Sequence, residues 1–322
     1  MANLKINTVK SKKELFKEKI SEIYPNDSKY IIDFHNDLKV FKSFRICNLN
    51  HQKILNSLSI DRVKFKHIID NIYQTTDVES SDKLSKSTAF MNNEIYIQEL
   101  SSTLPVLIAK SLIKDNKLKI LDLCASPGSK TTQLAESYVN SKIYANEPNR
   151  SRFFKLKQIL SDYKCEASLI NLPAQKIQHI KPDFKNSFDL IICDAPCSNE
   201  GSLNLGSGDT LKYWSEKEPA KISKIQKGIL KGGYDLLKSE GILIYSTCTY
   251  SVEENEMVID WLLKRNSTAK AISLNFSIPE MVFKIGLTSY KNKQFHPEVK
   301  NSLRVMPKNG FKSFFICALT KK

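Results

Sequence analysis

The sequence predicts an α/β protein: a mostly parallel sheet with helices on both faces, preceded by a small mixed N-terminal segment. Three observations carry this. From about Ala89, short apolar runs alternate with segments of helical period, the pattern of parallel strands joined by crossover helices. The run KILDL, residues 119–123, opens directly into a loop of small residues and then a helix start. Two later apolar runs, in FDLIICD and GILIYST, each end by delivering a cysteine. In an open α/β sheet, ligands bind in the crevice beyond the carboxyl ends of the strands.

Taken in order, Leu15, Phe16, Ile20, Ile23 and Tyr24 recur at helical spacing, and Pro25-Asn26-Asp27 stops that helix. Tyr30, Ile31, Ile32 and Phe34 form a second apolar cluster, and SFRICNL, residues 43–49, alternates like a strand around Arg45. The polar stretch 75–86 reads as a linker, dividing residues 1–77 from 78–322. Residues 96–109 look like the entry to a helix, 131–138 and 152–163 like helices, and 142–145 like a strand ending in Asn146-Glu147. A long helix carries Ile222, Ile225, Ile229 and Leu236 toward the core, with lysines around it. Ser251-Val252-Glu253-Glu254 matches a capping box, and residues 302–306 and 313–319 read as strands at a sheet edge.

A chain of 322 residues with 41% apolar and 26% charged content can bury a full core. No apolar run approaches the roughly 18 residues of a membrane span, and the N-terminus lacks the apolar core of a secretory signal, so a cytoplasmic protein is expected. Seven irregularly spaced cysteines fit reduced thiols better than a disulfide framework. Scarce histidine and no CxxC pair argue against a metal site. The net charge of +15 points to a polyanion, although only six of the 49 basic residues are Arg and a Lys-rich chain can reflect genome composition. The distribution is more telling: residues 262–322 hold 12 Lys or Arg against Glu280 and Glu298, two thirds of the excess. Nucleic acid is the expected partner, with a solvated basic face as the alternative.

Chemistry concentrates at the strand ends. In LDLCASPGSKT, residues 121–131, small residues let backbone amides approach a ligand closely, and the helix start can hold partial negative charge. The stretch is neither GxGxxG nor a P-loop. Glu147 closes the next strand, where an acid can accept hydrogen bonds from ribose hydroxyls, so a nucleoside-bearing cofactor is implied. Cys197 in DAPCSNEG, taken alone, reads either as a nucleophile or as a small packing residue. Cys248 follows a neighbouring strand, so both thiols are expected at one edge of the sheet, near the cofactor loop.

The segments LDLCASPGSKT, NEPNRSRFFKL, DAPCSNEG and STCTYSVEENE, in that order, resemble the motifs of the Sun/Fmu-type RNA 5-methylcytosine methyltransferases. SFRICNL, YIQELSSTLP, SLRVMP and GFKSFFICAL agree, so the resemblance runs from about Ser43 to the end. It implies a Rossmann-like methyltransferase core and S-adenosylmethionine as cofactor. A monomer is expected, with an RNA substrate bound partly by the N-terminal segment. By resemblance, Cys248 is the nucleophile, Cys197 assists release, Asp194 contacts the cytosine, and Lys130 holds Asp194 and the cofactor in place. Cys124, Ala125, Ser126, Pro127, Gly128, Ser129 and Lys130, with Glu147, Arg152 and Asp194, would bind S-adenosylmethionine.

Carbon 5 of cytosine is too weak a nucleophile to take a methyl from a sulfonium, but a thiolate added at carbon 6 makes the ring an enamine that can. The chain departs from the family pattern at Asn199 and Asn204, where Gly and a basic residue are usual, and at Pro173, where an adenine-contacting acid is usual. Ser126 and Ser129 likewise replace Ala and Gly. A DNA cytosine-5 methyltransferase is the rival enzyme, but no Glu-Asn-Val motif or FxGxG loop is present and such enzymes need no second cysteine. A catalytically idle RNA-binding assembly factor is the rival of another class. Ribosomal RNA is the expected substrate and transfer RNA the alternative. The lysines of the C-terminal region and the segment around Arg45 are expected to grip its backbone.

Overall fold

The computed structural model describes residues 10–38, 41–47, 50–115, 117–207, 209–278, 281–308 and 310–322. Leu49 and Asn48 of the SFRICNL stretch lie outside them. Two helices open the chain, α1 (Lys12–Ile23) and α2 (Ser28–Asn36). The first begins at a capping box in which Ser11 and Glu14 satisfy each other's backbone amides. A small antiparallel sheet follows, ordered β2-β3-β1-β4, from β1 (Ser43–Ile46), β2 (Phe65–Ile69), β3 (Ile72–Thr75) and β4 (Ile95–Ile97). Helices α3 (His51–Ile60), α4 (Val78–Leu84) and α5 (Thr88–Met91) interleave with it. Phe44, Ile54, Leu58, Leu84, Ala89 and Ile95 form its core.

The large sheet is ordered β11-β14-β15-β9-β8-β5-β6-β7, with β10 beside β15. Its parallel part is β5 (Lys119–Asp122), β6 (Lys142–Asn146), β7 (Ser168–Ile170), β8 (Phe188–Asp194) and β9 (Leu237–Thr247). Its antiparallel part is β10 (Ala269–Ala271), β11 (Val282–Ile285), β14 (Leu303–Met306) and β15 (Phe314–Lys321), and a hairpin of β12 (Ser289–Tyr290) and β13 (Lys293–Gln294) stands apart. The remaining helices are α6 (Leu104–Leu112), α7 (Ser129–Ser137), α8 (Arg150–Asp162), α9 (Ala174–Ile180), α10 (Glu218–Leu236) and α11 (Glu256–Arg265).

Side chains alternate across a strand, so each central strand feeds two cores. Leu121, Ile191, Leu243 and Tyr245 face one layer with Leu230 and Leu236 of α10 and Val258 of α11. Ile120, Leu190, Ile192 and Ile244 face the other, with Leu104 and Ile108 of α6 and Leu134 of α7. The expected α/β core with a parallel centre is therefore present. The N-terminal helices join the first layer: Phe16, Ile20, Ile23, Tyr24 and Ile31 belong to its cluster.

Several local expectations are corrected. The polar stretch 75–86 is not an unstructured linker; it contains α4, whose Ser80 amide is capped by Asp77 Oδ1 at 2.7 Å. Tyr96 sits in β4 rather than at a helix entry, because its strand is the partner that completes β1. Ser251 caps no helix: its Oγ donates to Glu253 Oε2 at 2.7 Å, α11 starts at Glu256, and Glu254 turns inward. Ile225 of α10 is exposed, while Leu236 is buried and Ile229 packs against the core as expected, with Ser223, Gln226, Leu230 and Tyr234 also on the inward face. Finally, β15 is interior, hydrogen-bonded to both β9 and β14, and β11 takes the edge. Tail strands can complete a sheet from its middle, which local sequence does not signal.

Candidate active site

The loops after β5, β6, β8 and β9 all leave the carboxyl ends of parallel strands and meet around one cleft of about 270 Å³. Its walls carry Cys124, Ser126, Glu147, Pro148, Arg152, Asp194, Ala195, Pro196, Cys197, Asn199, Ile229 and Cys248. Residues 51 positions apart in sequence thus face each other because β8 and β9 pair in parallel, Asp194 opposite Ser246.

At one end of the cleft the Cys197 and Cys248 sulfurs are 3.0 Å apart. The Cys248 amide donates to Cys197 Sγ at 3.4 Å, and Cys248 Sγ donates to Asn199 Oδ1 at 3.1 Å. The Cys197 hydrogen bond, and then burial, push the Cys248 thiol well above the ordinary thiol range, with Lys130 pulling the other way. The resting nucleophile candidate is therefore a protonated thiol. Asn199 has φ of 56°, in the left-handed region that Gly enters freely and Asn tolerates. Asn199 thus holds a conformation open to Gly, and its side chain supplies an acceptor for the thiol.

Asp194 is held from both sides. Lys130 Nζ donates to Asp194 Oδ2 at 2.6 Å and to Ser102 Oγ at 2.6 Å, while Ser246 Oγ donates to Asp194 Oδ1 at 2.8 Å. Lys130 is 6% exposed and Asp194 30%, so the pair is a buried cation presenting a carboxylate to the cleft. Ser246 and Ser102 were not singled out from the sequence. Ser246 adjoins the Thr247-Cys248 motif and could have been, but Ser102 lies 28 residues from Lys130 with no local signal.

At the other end, Glu147 is 3% exposed at the tip of β6. Its Oε1 accepts the Asn149 amide at 2.9 Å, and its Oε2 lies 3.3 Å from an Arg152 guanidinium nitrogen. Arg152 also donates to the Ser126 carbonyl at 2.9 Å, and Ser126 Oγ donates back to the Arg152 carbonyl at 3.0 Å. Below, Asp122 accepts from Thr131 Oγ1 at 2.7 Å, its second oxygen is buried without a hydrogen-bond partner among the described residues, and burial raises it to about 6. Of the residues expected at the cofactor, Cys124, Ser126, Glu147, Arg152 and Asp194 line the cleft. The side chains of Ala125, Pro127, Gly128, Ser129 and Lys130 are not among its walls: Ala125 and Gly128 are buried, Pro127 is exposed, and Lys130 is bonded to Asp194. Gly128 has φ of 121°, and a Cβ there would stand 3.0 Å from Ile159 Cγ2 of α8. Pro173 is not among the lining residues.

Arg45 requires correction. It is fully buried, donating to Gln98 Oε1 at 2.7 Å, Thr132 Oγ1 at 2.8 Å and the Ser129 carbonyl at 3.2 Å, and pairing with Glu136. It clamps the small sheet to α7 and is unavailable to a phosphate. Part of the C-terminal basic excess is paired within the chain, although only Arg304 is buried and the paired lysines stay on the surface. Arg304 is buried against Glu256, and Lys264, Lys270, Lys284, Lys291 and Lys293 each lie within 4 Å of a carboxylate. Among the described residues there is no cluster of groups able to hold a metal ion, and no helix is long and apolar enough to cross a membrane.

A Rossmann-like methyltransferase fold is what this sheet order and strand-end cleft define. The description "16S rRNA methyltransferase RsmB/F" matches residues 109–320, and the chain belongs to that family, in agreement with the Sun/Fmu resemblance. Ribosomal RNA small subunit methyltransferase F of Klebsiella pneumoniae (strain 342) is 36% identical over 199 residues, 61% of this chain and 40% of that protein. The same-named protein of Escherichia coli O157:H7 (strain EC4115 / EHEC) is 36% identical over 189 residues, 58% and 38% of the two chains. The match thus spans about two fifths of the length of these relatives. Two structures from Pyrococcus horikoshii share the fold. A methyltransferase homolog protein superposes with a TM-score of 0.77 at 24% identity, covering 96% of this chain and 95% of the other. NSun6 with SFG superposes with a TM-score of 0.75 at 17% identity, covering 95% and 97%.

Proposed function

We propose that this chain is an S-adenosylmethionine-dependent RNA methyltransferase that modifies carbon 5 of a cytosine in ribosomal RNA through a covalent cysteine adduct. The observation that carries the reading is the pair of thiols 3.0 Å apart beside the Lys130–Asp194 pair, in a cleft that continues to Glu147. Membership of a family described by 16S rRNA methylation favours ribosomal over transfer RNA.

The residues fit the cofactor. Glu147 uses two of the roughly four acceptor positions of a carboxylate, which leaves capacity for ribose hydroxyls. Cys124, Ser126 and Arg152 complete that wall. When bound, S-adenosylmethionine supplies an electrophilic methyl group. The chain's own residues do the rest. Cys248 attacks carbon 6 of the cytosine as the thiolate, its proton passing to water in the open cleft before the sulfur adds. Asp194, fixed by Lys130 and Ser246, orients the ring by accepting a hydrogen bond from its exocyclic amine, and the Lys130 cation behind it offsets the negative charge that develops as the sulfur adds. Cys197 stands close enough to assist loss of the carbon 5 proton and expulsion of Cys248. The base must be splayed out of its stack to reach thiols at the cleft floor.

Methyl transfer from labelled S-adenosylmethionine to ribosomal RNA, transfer RNA and DNA tests this. Label is expected at cytosine 5 of ribosomal RNA; incorporation into DNA alone, or into none of the three, overturns the reading and the second outcome returns the chain to a binding role.

A further inference from the structure

A buried polar network lies directly behind the two thiols, outside the cleft. Cys197 is pinned on both sides by it. Ahead of it, the Pro196 carbonyl accepts from Gln226 Nε2 at 2.9 Å. Behind it, the Ser198 amide donates to Glu254 Oε2 at 2.9 Å, and Ser198 Oγ donates to Glu254 Oε1. Gln226 and Glu254 are both fully buried and bond each other at 3.0 Å. Ser198 Oγ also lies 2.8 Å from Thr249 Oγ1, so the residues that follow Cys197 and Cys248 are tied together. Thr249 Oγ1 in turn donates to Glu200 Oε2 at 2.8 Å, and Glu200 is neutralised by Lys19 of α1 at 2.6 Å. Glu254 has no such cation within ion-pair reach among the described residues. A buried carboxylate without a counter-ion is costly, and it is retained here where its acceptors hold one loop.

We propose that Glu254, with Gln226, is a positioning residue for Cys197, and that its carboxylate is needed for release of the methylated product rather than for attack. The inference rests on the thiol roles proposed above. In release, the Cys197 thiolate takes the proton from carbon 5. The C–H pair re-forms the carbon 5–carbon 6 double bond, and the carbon 6–sulfur pair leaves with Cys248. That step needs Cys197 held at the ring, whereas attack by Cys248 does not. Removing the acceptor frees the Ser198 amide and hydroxyl, and with them the Cys197 backbone. The titratable groups facing Glu254 are Glu200 and Tyr245, whose hydroxyl donates to the Glu254 backbone carbonyl at 2.7 Å. Burial, reinforced by Glu200, raises the Glu254 carboxyl to about 7, so its acceptor function is switched by pH near neutrality.

The test is a single-turnover reaction of the full chain with ribosomal RNA and S-adenosylmethionine, run on a denaturing gel. The ratio of covalently bound to free methylated RNA is read early in the reaction, where it is set by the release rate and not by the attack rate. Glu254→Gln is expected to raise that ratio by at least about tenfold, toward the Cys197→Ala value, since charge-assisted hydrogen bonds are lost. In the unmutated chain the ratio is expected to rise as pH falls through about 7, which serves if the variant fails to fold. A folded Glu254→Gln with an unchanged ratio, or a pH-independent ratio in the unmutated chain, overturns the proposal while Cys197→Ala still traps RNA. If Cys197→Ala traps none, the thiol assignment itself has failed and takes this inference with it.

Discussion

Replacing Arg45 by Ala separates a structural clamp from an RNA-binding residue. The side chain is fully buried, and its loss strands Gln98 Oε1 and takes the cation from the Glu136 carboxylate, which keeps only Asn71 as a donor, while Thr132 Oγ1 and the Ser129 carbonyl keep each other. Breaking a buried pair by removing one partner costs about 3–5 kcal/mol, and Glu136, 23% exposed, can rehydrate in part, so about 3 kcal/mol is expected. With an unfolding entropy of about 2.1 cal/mol/K per residue, that lowers the Tm by about 4–5 °C. Because Arg45 holds the first turn of α7 by Ser129 and Thr132, S-adenosylmethionine affinity is expected to fall too. Lysine cannot restore a guanidinium with this many fixed donors. Thermal and urea unfolding, alongside RNA binding across a salt series, make the measurement. A phosphate contact would instead leave stability unchanged and reduce the salt slope by about one. Unchanged unfolding together with that reduced slope refutes the reasoning.

Three other expectations follow from the site. Cys248→Ser is expected to abolish methylation, whereas Cys197→Ala leaves RNA covalently bound; a gel shift with Cys248→Ala would reverse the two roles. Burial raises Asp122 to about 6, above its ordinary 3.8, so the folded state binds this proton more tightly than the unfolded one. Its stabilisation is fully present below the ordinary value and is lost as pH rises through about 6. Asp122→Asn should therefore flatten the fall in stability between about pH 4 and 6 seen in urea titrations, and an identical slope in the variant argues against it. At Gly201 a Cβ would lie 2.8 Å from the Ser313 carbonyl and 2.9 Å from that of Cys248. Gly201→Ala is thus expected to push the Cys197 loop away from Cys248 and to lower methylation at least about tenfold, roughly the effect of misplacing a reacting group; full activity would show that the loop can yield.

The sequence alone determined the alternation of strands and helices, the strand-end placement of Cys124, Glu147, Asp194, Cys197 and Cys248, and the family. These are local signals: apolar periodicity, small-residue loops and short motifs are written within about ten residues of themselves. What only the tertiary structure decided is everything that depends on which elements become neighbours. Arg45 looks in sequence like a phosphate ligand and Arg304 like part of a basic tail, yet the fold brings Glu136 and Glu256 to them and buries both guanidinium groups. Glu254 looks like half of a capping box, yet the turn before α11 aims it at Ser198, 56 residues earlier. The tail strands look like edges, yet β15 inserts between β14 and β9. Charge and hydrogen-bonding capacity are properties of a residue, but whether they are used inside the protein or offered to a substrate is settled by burial, and burial is settled by packing across the whole chain.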